Sequence, residues 1–365
     1  MSAALEAIQH FFASGATQSY EFRRQQLIKL KEAVLQYESE LHAALYTDLK
    51  KSPEESWVTE TGFLISEINF TLKHLRQWMK RERVSTNLLN LPSKSFIYKE
   101  PLGIVLIIGP WNYPMQLLFT PLAGAIAAGN CAVLKPSEFA PATAVIMEKI
   151  IERAFSKEYV LMVQGDGAEV VPQLMNNFRF DHVFYTGSTS VGKLIYGMAA
   201  AKLVPVTLEL GGKSPCIVEE DANIKVAARR IAMTKFSNAG QMCVAPDYVL
   251  VHQNVKEKLV AALKESIQQF FTDDPAKSYN YGKIINEKNF NRLLQYIHKG
   301  NVLHGGKFNA AEHYIEPTLL SGITVDDAVM GEEIFGPLLP ILPFSAFEEA
   351  KTIINKNSNP LALYV

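Results

Sequence analysis

The side chains of this sequence best suited to chemistry sit in short Gly- or Pro-rich peptides between regularly patterned segments. Cys243 closes Asn-Ala-Gly-Gln-Met-Cys, residues 238–243, between a helix-patterned run at 222–236 and a strand-patterned run at 247–252. The peptide has neither helical nor alternating apolar spacing. A lone cysteine is more often a buried structural thiol. A thiol beside Gly240 and Gln241 in a small-residue turn, however, is placed to be reached, and a thiolate is the most reactive ordinary side chain at neutral pH. Gly-Pro-Trp-Asn-Tyr-Pro, 109–114, follows an apolar run; its glycine and prolines fix the backbone, so the Asn112 amide can donate to a developing oxyanion. A plain turn is the competing account. Leu-Glu-Leu-Gly-Gly, 208–212, sets Glu209 between two leucines at a strand end, where partial desolvation would raise its pKa and suit it to general-base work. Gly-Glu-Glu-Ile-Phe-Gly-Pro, 331–337, is a tight loop carrying Glu333 and Phe335 that could close over a cofactor, or simply turn with a core phenylalanine.

Two further peptides have the chemistry of a nucleotide site. In Tyr185-Thr-Gly187-Ser188-Thr-Ser-Val-Gly192 a strand gives way to a helix, whose first N–H groups and positive dipole end suit a phosphate. The Gly-x-x-x-x-Gly spacing is neither the dinucleotide fingerprint nor a P-loop, so a bland strand–turn–helix junction is an equal reading. Lys135-Pro-Ser-Glu138 follows another strand; its lysine and glutamate could hold ribose hydroxyls, although a solvated loop is the usual meaning of such a tetrapeptide.

The elements that must position these residues alternate. Strands are expected over 104–108, 132–134, 160–163, 182–185 and 204–210, with helices over 113–128, 142–155, 168–177 and 191–202 between them. Such alternation implies right-handed βαβ crossovers and a parallel sheet, with ligands beyond the carboxyl ends of the strands. A second α/β region follows Gly211-Gly212: strands at 214–218 and 247–252, and helices at 222–236, 254–271, 286–299 and 346–356. Cys216 falls in an apolar strand and reads as a core thiol. Residues 19–50 read as one long amphipathic helix. A second helix follows Ser52-Pro53, with Trp57, Phe63, Ile68, Leu72 and Trp78 expected inward. Residues 84–100 change character and form either an exposed β-arm or an ordinary hairpin.

Bulk properties narrow the class. The chain has 365 residues, 48% of them hydrophobic, enough for two domains with substantial cores. A net charge of −1 gives no basic footprint for nucleic acid. Three widely spaced cysteines argue against a disulfide framework and suit a reducing compartment. Scattered histidines and the absence of Cys-x-x-Cys predict no metal. No signal-peptide pattern or membrane-length apolar run is visible, so the default location is cytoplasmic. The sequence stops at Asn-Pro-Leu-Ala-Leu-Tyr-Val365, inside a strand-like run, and further residues are expected beyond it.

Taken together, Pro-Trp-Asn-Tyr-Pro, Lys-Pro-Ser-Glu, Thr-Gly-Ser-x-x-Val-Gly, Glu-Leu-Gly-Gly-Lys, Gly-Gln-Met-Cys and Glu-Glu-Ile-Phe-Gly-Pro closely resemble the NAD(P)-dependent aldehyde dehydrogenase superfamily, over nearly the whole chain. The short N-terminus and the Gly-Pro-Trp-Asn-Tyr-Pro form look most like its class 3, fatty- and aromatic-aldehyde branch. The resemblance implies a Rossmann-like α/β NAD(P)-binding domain (1–83 and 102–207), an oligomerisation β-arm (84–101) and an α/β catalytic domain (208–365, incomplete at its C-terminus). It implies Cys243 as nucleophile, Asn112 and the Cys243 N–H as the oxyanion site, and Glu209 or Glu333 as the base that hydrolyses the thioester. Lys135 and Glu138 would hold the adenosine ribose, and Gly187, Ser188 and Gly192 the pyrophosphate. Glu333 and Phe335 would meet the nicotinamide ribose, and Tyr113 and Met242 would line the aldehyde pocket. NAD or NADP is the implied cofactor, a small aldehyde the substrate, and a homodimer the assembly once the C-terminus is complete; a membrane anchor beyond Val365 is compatible with the class. A coenzyme-A-acylating enzyme and a catalytically silent homologue are the alternatives.

Overall fold

A computed structural model describes the chain except Met1 and Ser358. The chain divides into two compact units: Met1–Ala44 with Ser56–Glu209, and Leu45–Glu55 with Leu210–Val365.

The first unit holds a small antiparallel pair, β1 (Glu82–Val84) and β2 (Ser95–Ile97), and a five-stranded sheet. The sheet comprises β3 (Ile104–Ile108), β4 (Cys131–Lys135), β5 (Val160–Met162), β6 (His182–Gly187) and β7 (Val206–Leu210), in the order β5-β4-β3-β6-β7. β3, β4, β5 and β6 pair in parallel. β3 and β4 are buried at every position, which is why they read as apolar runs, with Lys135 at the end of β4 the one charged residue. The chain steps outward from β3 to β5 and then returns to the other side of β3 for β6, so the strand order reverses between β3 and β6. In such sheets a ligand crevice opens outside the carboxyl ends at that reversal.

The parallel α/β expectation holds, and most element boundaries fall within two or three residues of their expected places. The N-terminal helices differ. Residues 20–49 form two helices, Tyr20–Gln36 and Glu38–Leu49, separated at Tyr37 (φ −102°, ψ 11°). The next stretch bends through a π-turn, Trp57–Thr61, whose wider ring takes one residue more than an α-turn and rotates the helix after it. In that helix, Gly62–Trp78, the buried face is therefore Leu64, Ile68, Thr71 and Leu75. Trp57, Phe63 and Trp78, expected inside, are exposed, and Leu72 is half-buried. Phe70, His74 and Trp78 instead form an outer aromatic row, with ring centroids 4.2 Å and 5.8 Å apart along it.

In the second unit β8 (Pro215–Val218), β9 (Tyr248–His252), β10 (Asn301–His304), β13 (Thr318–Ser321) and β14 (Leu338–Phe344) form a sheet of order β10-β13-β14-β9-β8; β11 (Phe308–Asn309) and β12 (Tyr314–Ile315) make a separate ribbon. β13, β14, β9 and β8 run parallel, and β10 is antiparallel at the edge. The core is built on β8, β9 and β14 against the helices Ile224–Phe236 and Lys256–Phe271. Cys216 is buried in β8, and desolvation pushes its thiol up to about 12, as a core thiol should be. Tyr364 bridges β8 in parallel: Ile217 N–H donates to the Tyr364 carbonyl at 2.8 Å, and Tyr364 N–H donates to Pro215 O at 3.0 Å. Among the described residues, no helix is long and apolar enough to cross a membrane.

Candidate functional site

In the first unit, Asn112, Lys135, Glu138, Gly187, Ser188 and Glu209 all fall at or just past the carboxyl ends of β3, β4, β6 and β7. Asn112 and Tyr113 are buried in the turn after β3. The helix beyond that turn, Gln116–Ala128, has its first N–H groups taken by a side chain that sequence reading does not single out. The Glu60 carboxylate, fully buried on the π-turn, accepts from Met115 N at 3.1 Å and Gln116 N at 2.8 Å. A carboxylate at a helix N-terminus is favoured by the exposed N–H dipoles, and here it anchors the helix into which the Asn112 turn runs.

Lys135, the last residue of β4, is 1% exposed, so its stem is core while its Nζ donates to Pro136 O (2.6 Å) and pairs with Glu138 Oε2 (3.1 Å). A Cβ on Gly167 would lie 3.4 Å from the Glu138 carboxylate, so Glu138 also abuts the start of the helix Gly167–Asn177. A buried amine next to an exposed carboxylate at a strand end offers a donor and an acceptor to a vicinal diol. Ser188 caps the twelve-residue helix Thr189–Ala200, its Oγ accepting from Val191 N at 3.4 Å. Gly187 is required by packing: a Cβ there would fall 2.3 Å from the Tyr185 hydroxyl, which itself donates to Ser188 O. Gly192 is buried in the first turn of that helix. The donor set fits a dinucleotide.

Glu209 departs from expectation. It is exposed, not desolvated between leucines: β7 is the edge strand of its sheet, and none of its five residues is fully buried.

In the second unit, Cys243 is half-exposed at the end of an unusual loop. Asn238, Ala239 and Gly240 are all left-handed (φ 49°, 51° and 74°), a strained run that only specific support maintains. Gln241 gives that support: its Nε2 donates to Asn238 O and Lys283 O (both 2.9 Å), and its Oε1 accepts from Ile285 N (3.0 Å). Asn238 Nδ2 returns a bond to Gln241 O at 3.2 Å. Met242, beside the thiol, is half-buried. Gly240 packs on the 331–337 loop so closely that a Cβ would sit 2.3 Å from Gly336 O. The cysteine loop and the Glu333 loop therefore abut backbone to backbone.

The Glu333 carboxylate lies on the Gly211-Gly212 turn; a Cβ on Gly211 would be 2.1 Å from its Oε2, and Gly212 donates to it. Burial, and then the nearby Asp247 charge, push its pKa up to about 8. Arg292 fastens this loop from behind, donating to Glu332 Oε1 (3.1 Å), Glu333 O (3.3 Å) and Ile334 O (2.7 Å). Phe335 is half-buried with φ +48°.

Beneath both loops lies a buried charge cluster that sequence reading misses. Asp247, at the head of β9, takes Lys213 Nζ on one oxygen; its other oxygen accepts from Ile334 N at 3.0 Å and faces Lys235 Nζ at 4.0 Å. Lys213 also donates to Val329 O. A signal exists in the sequence: Lys235 falls in register with Ala228, Ile231 and Ala232 on the core face of its helix, and Asp247 opens a strand that is apolar from Tyr248 to Val251.

The structure thus brings together Asn112, Lys135, Glu138, Gly187, Ser188 and Glu209 at one sheet edge, and Cys243, Met242, Glu333 and Phe335 on two abutting loops of the other unit.

The aldehyde dehydrogenase family model matches residues 1–365. The chain is 47% identical to a 4,4'-diaponeurosporen-aldehyde dehydrogenase of Staphylococcus aureus over 357 residues, 97% of this chain and 77% of that one. It is 45% identical to rat (Rattus norvegicus) aldehyde dehydrogenase family 3 member B1, over 99% of this chain and 76% of that one. The solved structure of the substrate-bound state of Staphylococcus aureus AldH superposes with a TM-score of 0.97 at 46% identity, covering 100% of this chain and 79% of that chain. The chain belongs to the aldehyde dehydrogenase family.

Proposed function

We propose that Cys243 is the nucleophile and Glu333 the hydrolytic base of this aldehyde dehydrogenase, acting on medium- or long-chain aliphatic or aromatic aldehydes. The enzyme oxidises aldehydes to carboxylic acids with NAD or NADP. The observation that carries the assignment of the base is the half-buried Glu333 carboxylate on a loop that abuts the cysteine loop, whereas Glu209 is exposed.

The Cys243 thiolate attacks the aldehyde carbon, and the Cys243 N–H donates to the resulting oxyanion. The bound nicotinamide supplies a hydride acceptor. Lys135 and Glu138 hold the adenosine ribose; Gly187, Ser188 and Gly192 hold the pyrophosphate at the helix start; Glu333 and Phe335 border the nicotinamide ribose. Glu333 then takes a proton from water as the hydroxyl adds to the acyl carbon, the C–S bond breaks, and its electron pair returns to Cys243 Sγ. A carboxyl titrating near 8 is a stronger base than an ordinary one and still ionises in the working range. Met242, next to Cys243 in its loop, borders the aldehyde.

The segment 84–101, carrying Leu88 and Leu89 almost fully exposed, serves as a dimerisation arm. Sedimentation of the protein should give a dimer, dissociated by Leu88→Ser with Leu89→Ser.

The test of function is nucleotide reduction with a medium-chain aldehyde, with the product analysed with and without coenzyme A. The expected product is the free acid in both cases. A coenzyme A thioester would assign the chain to the acylating branch, and nucleotide binding without turnover would make it a silent homologue.

A further inference from the structure

We propose that Lys235 is a positioning residue for thioester hydrolysis: its buried ammonium, seated beside Asp247 beneath the cysteine loop and the Glu333 loop, is the positive charge that favours the ionised form of Glu333. The inference rests on Glu333 being the base.

Lys235 occupies a core position on its helix, is 0% exposed, and its Nζ makes no hydrogen bond among the described residues. Its closest anionic oxygen is Asp247 Oδ1, at 4.0 Å, and that oxygen already accepts from Ile334 N. The other Asp247 oxygen is taken by Lys213. Two buried cations thus share one buried anion, leaving one positive charge in excess. A lysine kept only for packing would be better replaced by an apolar side chain of its size, since a buried, incompletely paired charge costs several kcal/mol. The fourth ionisable group of the cluster is Glu333, and with it the set Lys213, Lys235, Asp247 and Glu333 is neutral when all four are ionised. The charged groups bearing on the pair come from every packed element: Lys213 from the segment before β8, Asp247 from the head of β9, Lys235 from its helix. Tyr248, with Lys213 5.9 Å from its ring centroid, is pushed up to about 12 and stays neutral across the working range. Glu332, on the same loop as Glu333, is occupied by Arg292 and Tyr296.

The coupling has a definite direction. Burial lowers Lys235 to about 8, with the Asp247 and Glu333 charges opposing that fall, while the Lys235 and Lys213 charges oppose the rise of Glu333. Removing the Lys235 charge therefore leaves Glu333 harder to ionise.

The test is single-turnover deacylation from pH 6 to 10, alongside the burst of reduced nucleotide that reports acylation by Cys243. In Lys235→Met and in Lys235→Gln the burst is expected to remain, the rising limb of deacylation to move alkaline by about one pH unit, and deacylation at pH 7 to slow about tenfold. Lys235→Arg should return the limb toward its original position, which a purely structural role would not require. Glu333→Gln should abolish the limb. An unmoved limb in both neutral variants, with Glu333→Gln still abolishing it, overturns the role of Lys235 alone. A limb that survives Glu333→Gln overturns Glu333 as base and the proposal with it. Two neutral variants are used because Met fills the core and Gln keeps a polar end, so a folding defect in one leaves the other to decide.

Discussion

The two units solve the problem of placing polar groups in opposite ways. In the first, the nucleotide-side residues sit at strand ends where the sheet stops, so Lys135, Glu138 and Ser188 need only local partners: a carbonyl, an ion pair three residues on, a helix start. In the second, the reactive residues rest on strained loops above a cluster of charges, the buried Lys213, Lys235 and Asp247 with the half-buried Glu333, held by contacts between segments far apart in sequence. The first arrangement comes almost free with a parallel sheet. The second has to be supported residue by residue, and it is there that a carboxyl is raised to about 8 and three successive residues are held left-handed.

The largest effect that sharpens this contrast is chemical. Cys243→Ala should leave nucleotide binding intact and lower aldehyde oxidation by at least about 10³-fold, on the order of 4 kcal/mol in the barrier. Steady-state nucleotide reduction and a nucleotide titration check it, and residual oxidation above a few per cent would remove the assignment of the nucleophile. The next effect is structural. Asp247→Asn leaves Lys213 and Lys235 without their counter-charge and should lower stability by about 3–5 kcal/mol. Glu138→Gln, in the first unit, leaves Lys135 its bond to Pro136 O and should cost under about 1 kcal/mol. Denaturant unfolding of the two variants compares them directly. Equal losses would mean that the buried cluster is no more demanding than the strand-end pair.

Legibility in the sequence divides along the same line. The strands and helices from 104 to 210 can be read because buried parallel strands are continuous apolar runs punctuated by turn residues. β14 cannot: Pro340 and Pro343 remove two ladder donors and argue against a central strand, yet it pairs with β13 and β9 on its two sides. The inward face of the helix Gly62–Trp78 is misread because a π-turn is set by tertiary packing and leaves no local signature, so the period is counted from the wrong origin. Glu209 reads as desolvated because its neighbours are leucines, but desolvation depends on whether the strand is central or at the edge, which neighbours do not encode. The motif residues themselves are all visible. Their supports are less so, although Lys235 in an apolar helix stripe and Glu60 among the residues of a helix entrance are the kind of charge that a core position should bring to notice.

A third prediction concerns pH. In the folded chain Glu333 holds its proton up to about pH 8, whereas unfolded it ionises near the ordinary carboxyl value of 4.5. Between those values the folded state binds more protons than the unfolded one, so the contribution of Glu333 to stability falls as pH rises through the window and levels off above 8. Glu333→Gln removes that loss. The variant should match the parent near pH 4 and exceed it increasingly up to pH 8, by on the order of a few kcal/mol. Unfolding curves at pH 5, 7 and 9 suffice, and a parallel pair of profiles for parent and Glu333→Gln would refute a Glu333 that stays protonated to about pH 8.

The smallest expected effect returns to the first unit. Ser188→Ala removes the side-chain acceptor for Val191 N and should cost about 1 kcal/mol, the usual value of an N-cap. The same change should weaken nucleotide binding only modestly, because the N–H groups and dipole of the helix Thr189–Ala200 remain after the cap is gone. Ser188→Gly separates the two contributions: glycine tolerates the extended cap backbone at a cost of a few tenths of a kcal/mol while also lacking the hydroxyl. If nucleotide affinity falls equally in both variants while stability falls only in the first, the Ser188 hydroxyl contacts the ligand directly. If affinity tracks stability, the hydroxyl acts through the helix start. Either result bears on whether strand-end sites of this kind bind with backbone or with side chains, the point on which the two units differ most.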